Sequence, residues 1–201
     1  MPLGRVLAVG GGAVRPGGGG MVPMALLLAR GTVPERLCIR DVQADGTDAT
    51  PKIIKFIRSC ADGVDALMAR SVPIAGFNYI DAGAVLRECG VPSVFVLGGE
   101  PDMAAVGGAL RRHFADWEGR LRAIEGAGPV HRLRDGGEGG KDEVREGKEG
   151  ETLFIECVGI GVRGALALAR GLTVFGTVPE PVRIAGMVAK AVSGITAGRR
   201  T

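Results

Sequence analysis

Two carboxylates that could hold a divalent cation stand three residues apart in Asp45-Gly46-Thr47-Asp48-Ala49-Thr50. A hard cation takes anionic oxygen ligands, which makes Asp45 and Asp48 the candidate metal ligands and the candidate catalytic carboxylates. The same segment also reads as turn chemistry, because Asp-Gly reverses a chain and carboxylates favour the positive end of a helix dipole. Ala75-Gly76-Phe77-Asn78-Tyr79-Ile80-Asp81 puts an amide and a carboxylate between a strand and a helix, where α/β proteins place their sites. Capping the helix that follows is the favoured reading of Asn78 or Asp81. His113, opening His113-Phe114-Ala115-Asp116-Trp117-Glu118, offers an acid–base group or a phosphate contact, or simply a cation at a helix end.

Other constellations fall short of a site. The glycine cluster from Gly10 to Gly20 follows a strand, but Arg15 stands where a dinucleotide fingerprint needs glycine, and no Gly-Lys-Ser/Thr follows. It reads as a hairpin connection. Cys38, Cys60, Cys89 and Cys157 form no C-x-x-C pair and are expected to be buried thiols.

These residues need elements to position them. Arg5–Val9, Val22–Arg30 and Glu35–Gln43 are apolar runs with tight punctuation, the pattern of an antiparallel meander. Thr50-Pro51 then supplies a helix N-cap and a proline in the first turn, with Ile53, Ile54 and Ile57 at helical spacing. Ala66–Met68 reads as a buried strand, Asp81–Glu88 as a helix ending near Gly90, and Val91–Leu97 as another strand. Helices over Asp102–Phe114 and Asp116–Glu125 follow. Thr152–Val158 is a strand, and helices over Val162–Arg170 and Pro179–Val192 close the chain. Three strands followed by alternating helices and strands give an α/β ribonuclease H-like mixed sheet with helices on both faces, its first strand central beside Ala66–Met68. The stretch 134–150 is glycine and mixed charge with little to bury. A flexible loop inside one domain spanning residues 1–201 is the expectation.

Composition bounds the setting. Of 201 residues, 46% are hydrophobic, enough for a sizeable core. No run nears the roughly 18 apolar residues of a membrane span, and no secretory leader is read, which predicts a cytoplasmic protein. A net charge of +3 suits a polyanionic partner without requiring one. A single Asn, a single Gln and the preference for arginine over lysine point to a hot-living source. Eight aromatic residues are too few for a base-stacking platform.

With these segments in view, the chain resembles the archaeal endonuclease dU family, which is related to endonuclease V. The resemblance is carried by Asp45–Thr50, Ala75–Asp81, Pro101-Asp102, His113–Glu118, Arg122–Pro129 and Gly176–Ala185, in order along most of the chain. It implies a ribonuclease H-like fold and an endonuclease using Mg²⁺ or Mn²⁺ on DNA with deaminated bases such as deoxyuridine. By the same analogy Arg70, Asn78, Arg15 and His113 become candidate nucleic-acid contacts, and a homo-oligomer stays open. Two departures bear on activity. The first strand, where the family carries an acidic pair, ends in Ala8-Val9-Gly10-Gly11-Gly12, and the neighbouring strand end reads Ala69-Arg70-Ser71. Glycine offers a metal no side-chain oxygen. The expectation is therefore nuclease activity that is absent or very low, with Arg70 in the cation's place paired to Asp45 or Asp48. The alternative is a non-catalytic protein binding nucleic acid or a partner on the same fold.

Overall fold

A computed structural model describes residues 4–14, 19–134 and 152–198. β1 (Arg5–Gly11), β2 (Met21–Arg30) and β3 (Val33–Gln43) form the expected antiparallel meander. α1 (Ala49–Arg58) leads to β4 (Ala66–Ala69), which runs parallel to β1, and a small hairpin, β5 (Pro73–Ala75) and β6 (Asn78–Tyr79), follows. α2 (Ala82–Cys89) returns the chain to β7 (Ser93–Leu97), parallel to β4. After α3 (Met103–His113) and α4 (Trp117–Glu125) come β8 (His131–Arg134) and β9 (Thr152–Val158), then α5 (Val162–Gly171) and α6 (Glu180–Gly198). The seven-stranded sheet has the order β3-β2-β1-β4-β7-β9-β8, with β9 antiparallel to both its neighbours. The first strand is central, as expected, and lies beside β4. Most of the stretch 134–150 falls outside the described residues. Among the described residues no helix is long and apolar enough to cross a membrane.

The alternation within the strands explains the two layers. In β1, Leu7 and Val9 face a core with Ile53, Val85, Leu110 and Ile124 from α1 to α4, while Val6 and Ala8 face the other side. On that other side small residues recur beside larger ones such as Leu27, Met68 and Ile155: Ala25 and Ala29 of the sheet share the layer with Ala165, Ala169, Ala185 and Ala189 of α5 and α6. Helices can lie close only where side chains are short, so this composition brings α6 down onto β1 and β2. Because both faces are covered, β1 and β2 read as continuous apolar runs rather than alternating ones.

The starts of α2 and α3 and the end of α2 follow local chemistry. Asp81 and Asp102 accept from the N–H groups of Ala84 and Ala105, and Gly90 ends α2 at φ +69°. Thr50, expected as a cap, is instead inside α1, whose capping position is Asp48. The Thr50 hydroxyl donates to the Tyr79 carbonyl and accepts from the Asp81 N–H, joining α1 to the start of α2. The four cysteines are free and only half-buried.

One polar group sits uneasily in this core. Ser93 Oγ, fully buried at the start of β7, has no hydrogen-bond partner among the described residues. Ser93→Ala is expected to raise stability by about 0.5–1.5 kcal/mol, because it removes a desolvated hydroxyl without opening much space. Chemical denaturation checks this, and a loss of stability would show that the hydroxyl has a partner.

Candidate nucleic-acid interface

The parallel relation of β1, β4 and β7, with β3 pointing the same way, brings four strand ends to one edge of the sheet. Asp45, Asp48, Arg70 and the Gly98-Gly99 loop all follow from these ends.

The carboxylates there are held by the protein itself. Asp45 is the one described non-glycine residue with positive φ, +58°, a conformation that Asp tolerates better than most. Its N–H donates to the Ala75 carbonyl at 3.0 Å, and its Oδ1 accepts from the Phe77 N–H at 2.7 Å. The turn after β3 is thereby fastened to the β5–β6 hairpin, where Gly76, at φ +64°, leaves no room for a side chain against Asp45. Asp48 is more fully engaged. Its Oδ1 accepts from the Gln43 N–H at 3.0 Å and from Asn78 Nδ2 at 2.7 Å, and its Oδ2 accepts from Lys52 Nζ at 2.5 Å. Burial works against its charge, yet the hydrogen bonds from Lys52, Asn78 and the Gln43 N–H prevail and hold Asp48 below the usual carboxylate range.

Asn78 is fully buried. Besides Asp48 it donates to the Gln43 carbonyl at 2.9 Å, and its Oδ1 accepts from the Ala49 N–H at 3.2 Å. It therefore caps α1 from 29 residues away and presents nothing to a ligand. Arg120, which sequence reasoning did not single out, completes this bracket. Its side chain is 7% exposed, with Nε on Asp116 at 2.9 Å and Nη1 on the carbonyls of Gly46 and Phe77, each at 3.1 Å. Its guanidinium lies over the Phe114 ring at 4.3 Å, and that ring stacks edge-on against Phe77. The hydrogen bond from Arg120 lowers the pKa of Asp116. Only the spacing of Asp116 and Arg120, four apart on a helix, could have flagged the pair from sequence.

Arg70 departs from expectation. It is exposed and pairs with neither Asp45 nor Asp48, whose oxygens have the partners just named. Among the described residues it makes no hydrogen bond or ion pair. The guanidinium lies across the end of β7, where a Cβ on Gly98 would stand 2.7 Å from Nη2. His113 ends α3 in an exposed position next to Phe114, and Arg15 lies outside the described residues. Among the described residues no group of three or more His, Cys, Asp or Glu could hold a metal ion. The strand-end edge therefore offers an open cation rather than a cluster of free carboxylates.

Comparison with known proteins bears on this arrangement. The family model for endonuclease dU matches residues 3–193. The UPF0215 protein of Thermococcus gammatolerans is 33% identical over 154 residues, 76% of this chain and 71% of that protein. The UPF0215 protein of Methanothermobacter thermautotrophicus is 33% identical over 159 residues, 78% of this chain and 70% of that protein. Among solved structures, a protein of unknown function from Archaeoglobus fulgidus superposes with a TM-score of 0.78 at 26% identity, covering 94% of this chain and 97% of its own. Human ENDOV superposes at 0.57 with 16% identity, covering 97% and 86%. Endonuclease V of Ciona intestinalis, solved with a 24mer DNA containing an inosine followed by a ribo-adenosine, superposes at 0.56 with 12% identity, covering 96% and 87%. The last two establish likeness of fold, an endonuclease V-like mixed sheet. On the family model and the archaeal relatives, this chain belongs to the endonuclease dU family.

Proposed function

We propose that this chain is a nucleic-acid-binding member of its family that engages phosphate at the strand-end edge through Arg70, with cleavage of DNA containing deaminated bases absent or very low. The observation that carries the reading is a solvent-facing Arg70 with no partner among the described residues, together with two aspartates already committed to hydrogen bonds within the fold. Phosphodiester hydrolysis by a bound cation needs carboxylates converging from more than one element, so that the metal charge sits beside the scissile phosphate. Asp45 and Asp48 lie on one turn, and among the described residues no third His, Cys, Asp or Glu joins them in a group that could hold a metal ion. The described residues thus do not fit Mg²⁺ or Mn²⁺, and no hydrolytic step is assigned through either ion. Nucleic acid remains the favoured partner because the fold is that of proteins solved with DNA, and because an arginine free of internal partners can give a phosphate two parallel hydrogen bonds.

Two measurements test this. Purified protein incubated with duplexes containing deoxyuridine or deoxyinosine, in Mg²⁺ or Mn²⁺, is expected to show little or no nicking. Robust metal-dependent cleavage that disappears in Asp45→Ala or Asp48→Ala would restore the hydrolase reading. In a binding titration followed by fluorescence anisotropy, Arg70→Glu should weaken DNA binding and reduce the slope of log K against log salt by about one. Binding that never exceeds background, or ignores this charge reversal, would favour a protein partner instead.

A further inference from the structure

The glycines that end β1 have a steric role independent of any ligand. A Cβ on Gly10 would collide with the main chain of Ala185 and stand 2.5 Å from the Gly186 nitrogen, both on α6. On Gly11 it would run into the Ile74 carbonyl of β5, and on Gly12 it would first strike Ser193 Oγ of α6 and then lie 2.9 Å from both Cγ and the carbonyl oxygen of Pro23 on β2. Gly10 and Gly11 are therefore walled by backbone from two different elements, which cannot rotate aside as a side-chain tip can, and Gly12 is walled by the Ser193 hydroxyl together with Pro23. The seam is also hydrogen-bonded: Gly12 N–H donates to the Pro23 carbonyl at 2.8 Å, and Ala13 N–H donates to Ser193 Oγ of α6 at 3.1 Å.

We infer that this chain has closed the end of its central strand into a backbone seam that docks α6 and the β5–β6 hairpin, and that it folds and works without a divalent cation. A metal ligand at this strand end would need a side chain reaching roughly 2.0–2.6 Å from the ion. No side chain can start from Gly10, Gly11 or Gly12 unless α6, β5 or β2 withdraws. The next strand end carries Arg70, whose charge repels a cation. The positive charge that an anionic ligand would meet here belongs to the polypeptide, is permanent, and does not depend on metal supply. This inference rests on the family reading only in that the family makes a metal the natural expectation. A failure of DNA binding would leave it untouched.

The test uses the full chain without nucleic acid. Titration with Mn²⁺ followed by electron paramagnetic resonance should leave the free-ion signal undiminished at equimolar protein, and melting temperatures in 1 mM Mn²⁺ and in EDTA should agree within about 1 °C. Stoichiometric uptake of Mn²⁺, or a rise of several degrees on adding it, would overturn the inference. Gly10→Ala and Gly11→Ala, which add only a methyl group, should each lower the melting temperature by on the order of 5 °C or more, or fail to fold. Gly107→Ala in α3, where a Cβ meets no atom within 4 Å, should be neutral or stabilising. If Gly10→Ala and Gly11→Ala melt like Gly107→Ala, the strand end is open and the seam does not exist. Should both seam variants fail to fold, the Mn²⁺ titration of the wild-type chain still decides whether a metal is bound.

Discussion

Arg120→Met is expected to reduce unfolding free energy by about 3 kcal/mol, and the melting temperature by roughly 6–12 °C for a chain of this size. The methionine keeps the apolar contact with Phe114 but removes every donor. Two carbonyls, Gly46 and Phe77, then lose the partner that Nη1 supplied, and a desolvated carbonyl without a donor costs about 1–3 kcal/mol. The contact to Asp116 contributes less, because that carboxylate is 56% exposed and solvent screens the pair. Asp116→Ala should therefore cost under about 1 kcal/mol. Arg120→Lys should fall between the two, since an ammonium keeps the charge but cannot serve Asp116 and both carbonyls from one planar fork. Urea denaturation of the three variants orders these terms. If Arg120→Met loses no more than Asp116→Ala, the bracket is held by Asp45 and Asn78 alone.

Why this bracket escaped a reading of the sequence is a matter of range. Asp81, Asp102 and Gly90 were legible because a cap lies within four residues of what it caps. Asn78 was read on the same logic as capping the helix that follows it, yet it caps α1, which precedes it by 29 residues. Arg120 reaches Gly46 across 74 residues and Phe77 across 43, and no local pattern encodes either contact. Thr50 shows the same limit, since its hydroxyl answers to Tyr79 and Asp81. β1, β2, β4 and β7 were legible because burial on both faces makes them almost uniformly apolar, whereas β3 is an edge strand exposed along most of its length. β5, β6 and β8, at two to four residues, are too short to show a period. The glycines at the end of β1 were visible as positions that lack oxygen ligands. That they are also the only residues that fit beneath α6 and Ile74 could emerge only once those elements were placed.

Glu156 is expected to make this protein lose stability as pH rises from about 4.5 to 7, by about 2.5 kcal/mol between pH 5 and pH 8. It lies on β9 opposite Phe95 and is 6% exposed, and its carboxyl accepts no hydrogen bond from any described residue. Burial alone pushes its carboxyl up to about 7. The sign follows from proton binding. Between the unfolded value of 4.5 and the folded value of about 7, the native state holds a proton that the unfolded chain has released, so raising the pH favours unfolding. Above pH 8 both states are ionised and the curve flattens. Asp48 and Asp116 act in the opposite direction and in a different window, since their lowered values contribute stability that is lost only as the solution becomes more acid than about pH 4. Glu156→Gln removes the titration while nearly keeping the shape. The variant should melt roughly 5–10 °C above wild type at pH 8 and within a few degrees of it at pH 5. The lone acid in Thr152-Leu153-Phe154-Ile155-Glu156-Cys157-Val158 was the signal in the sequence, and the ladder to β7 explains its effect by turning the carboxyl toward the layer of α1 to α4 instead of solvent. A wild-type stability that stays flat from pH 5 to pH 8, or a Glu156→Gln variant that falls in parallel with it, would show that the carboxyl reaches water or a donor, and would remove Glu156 as the cause.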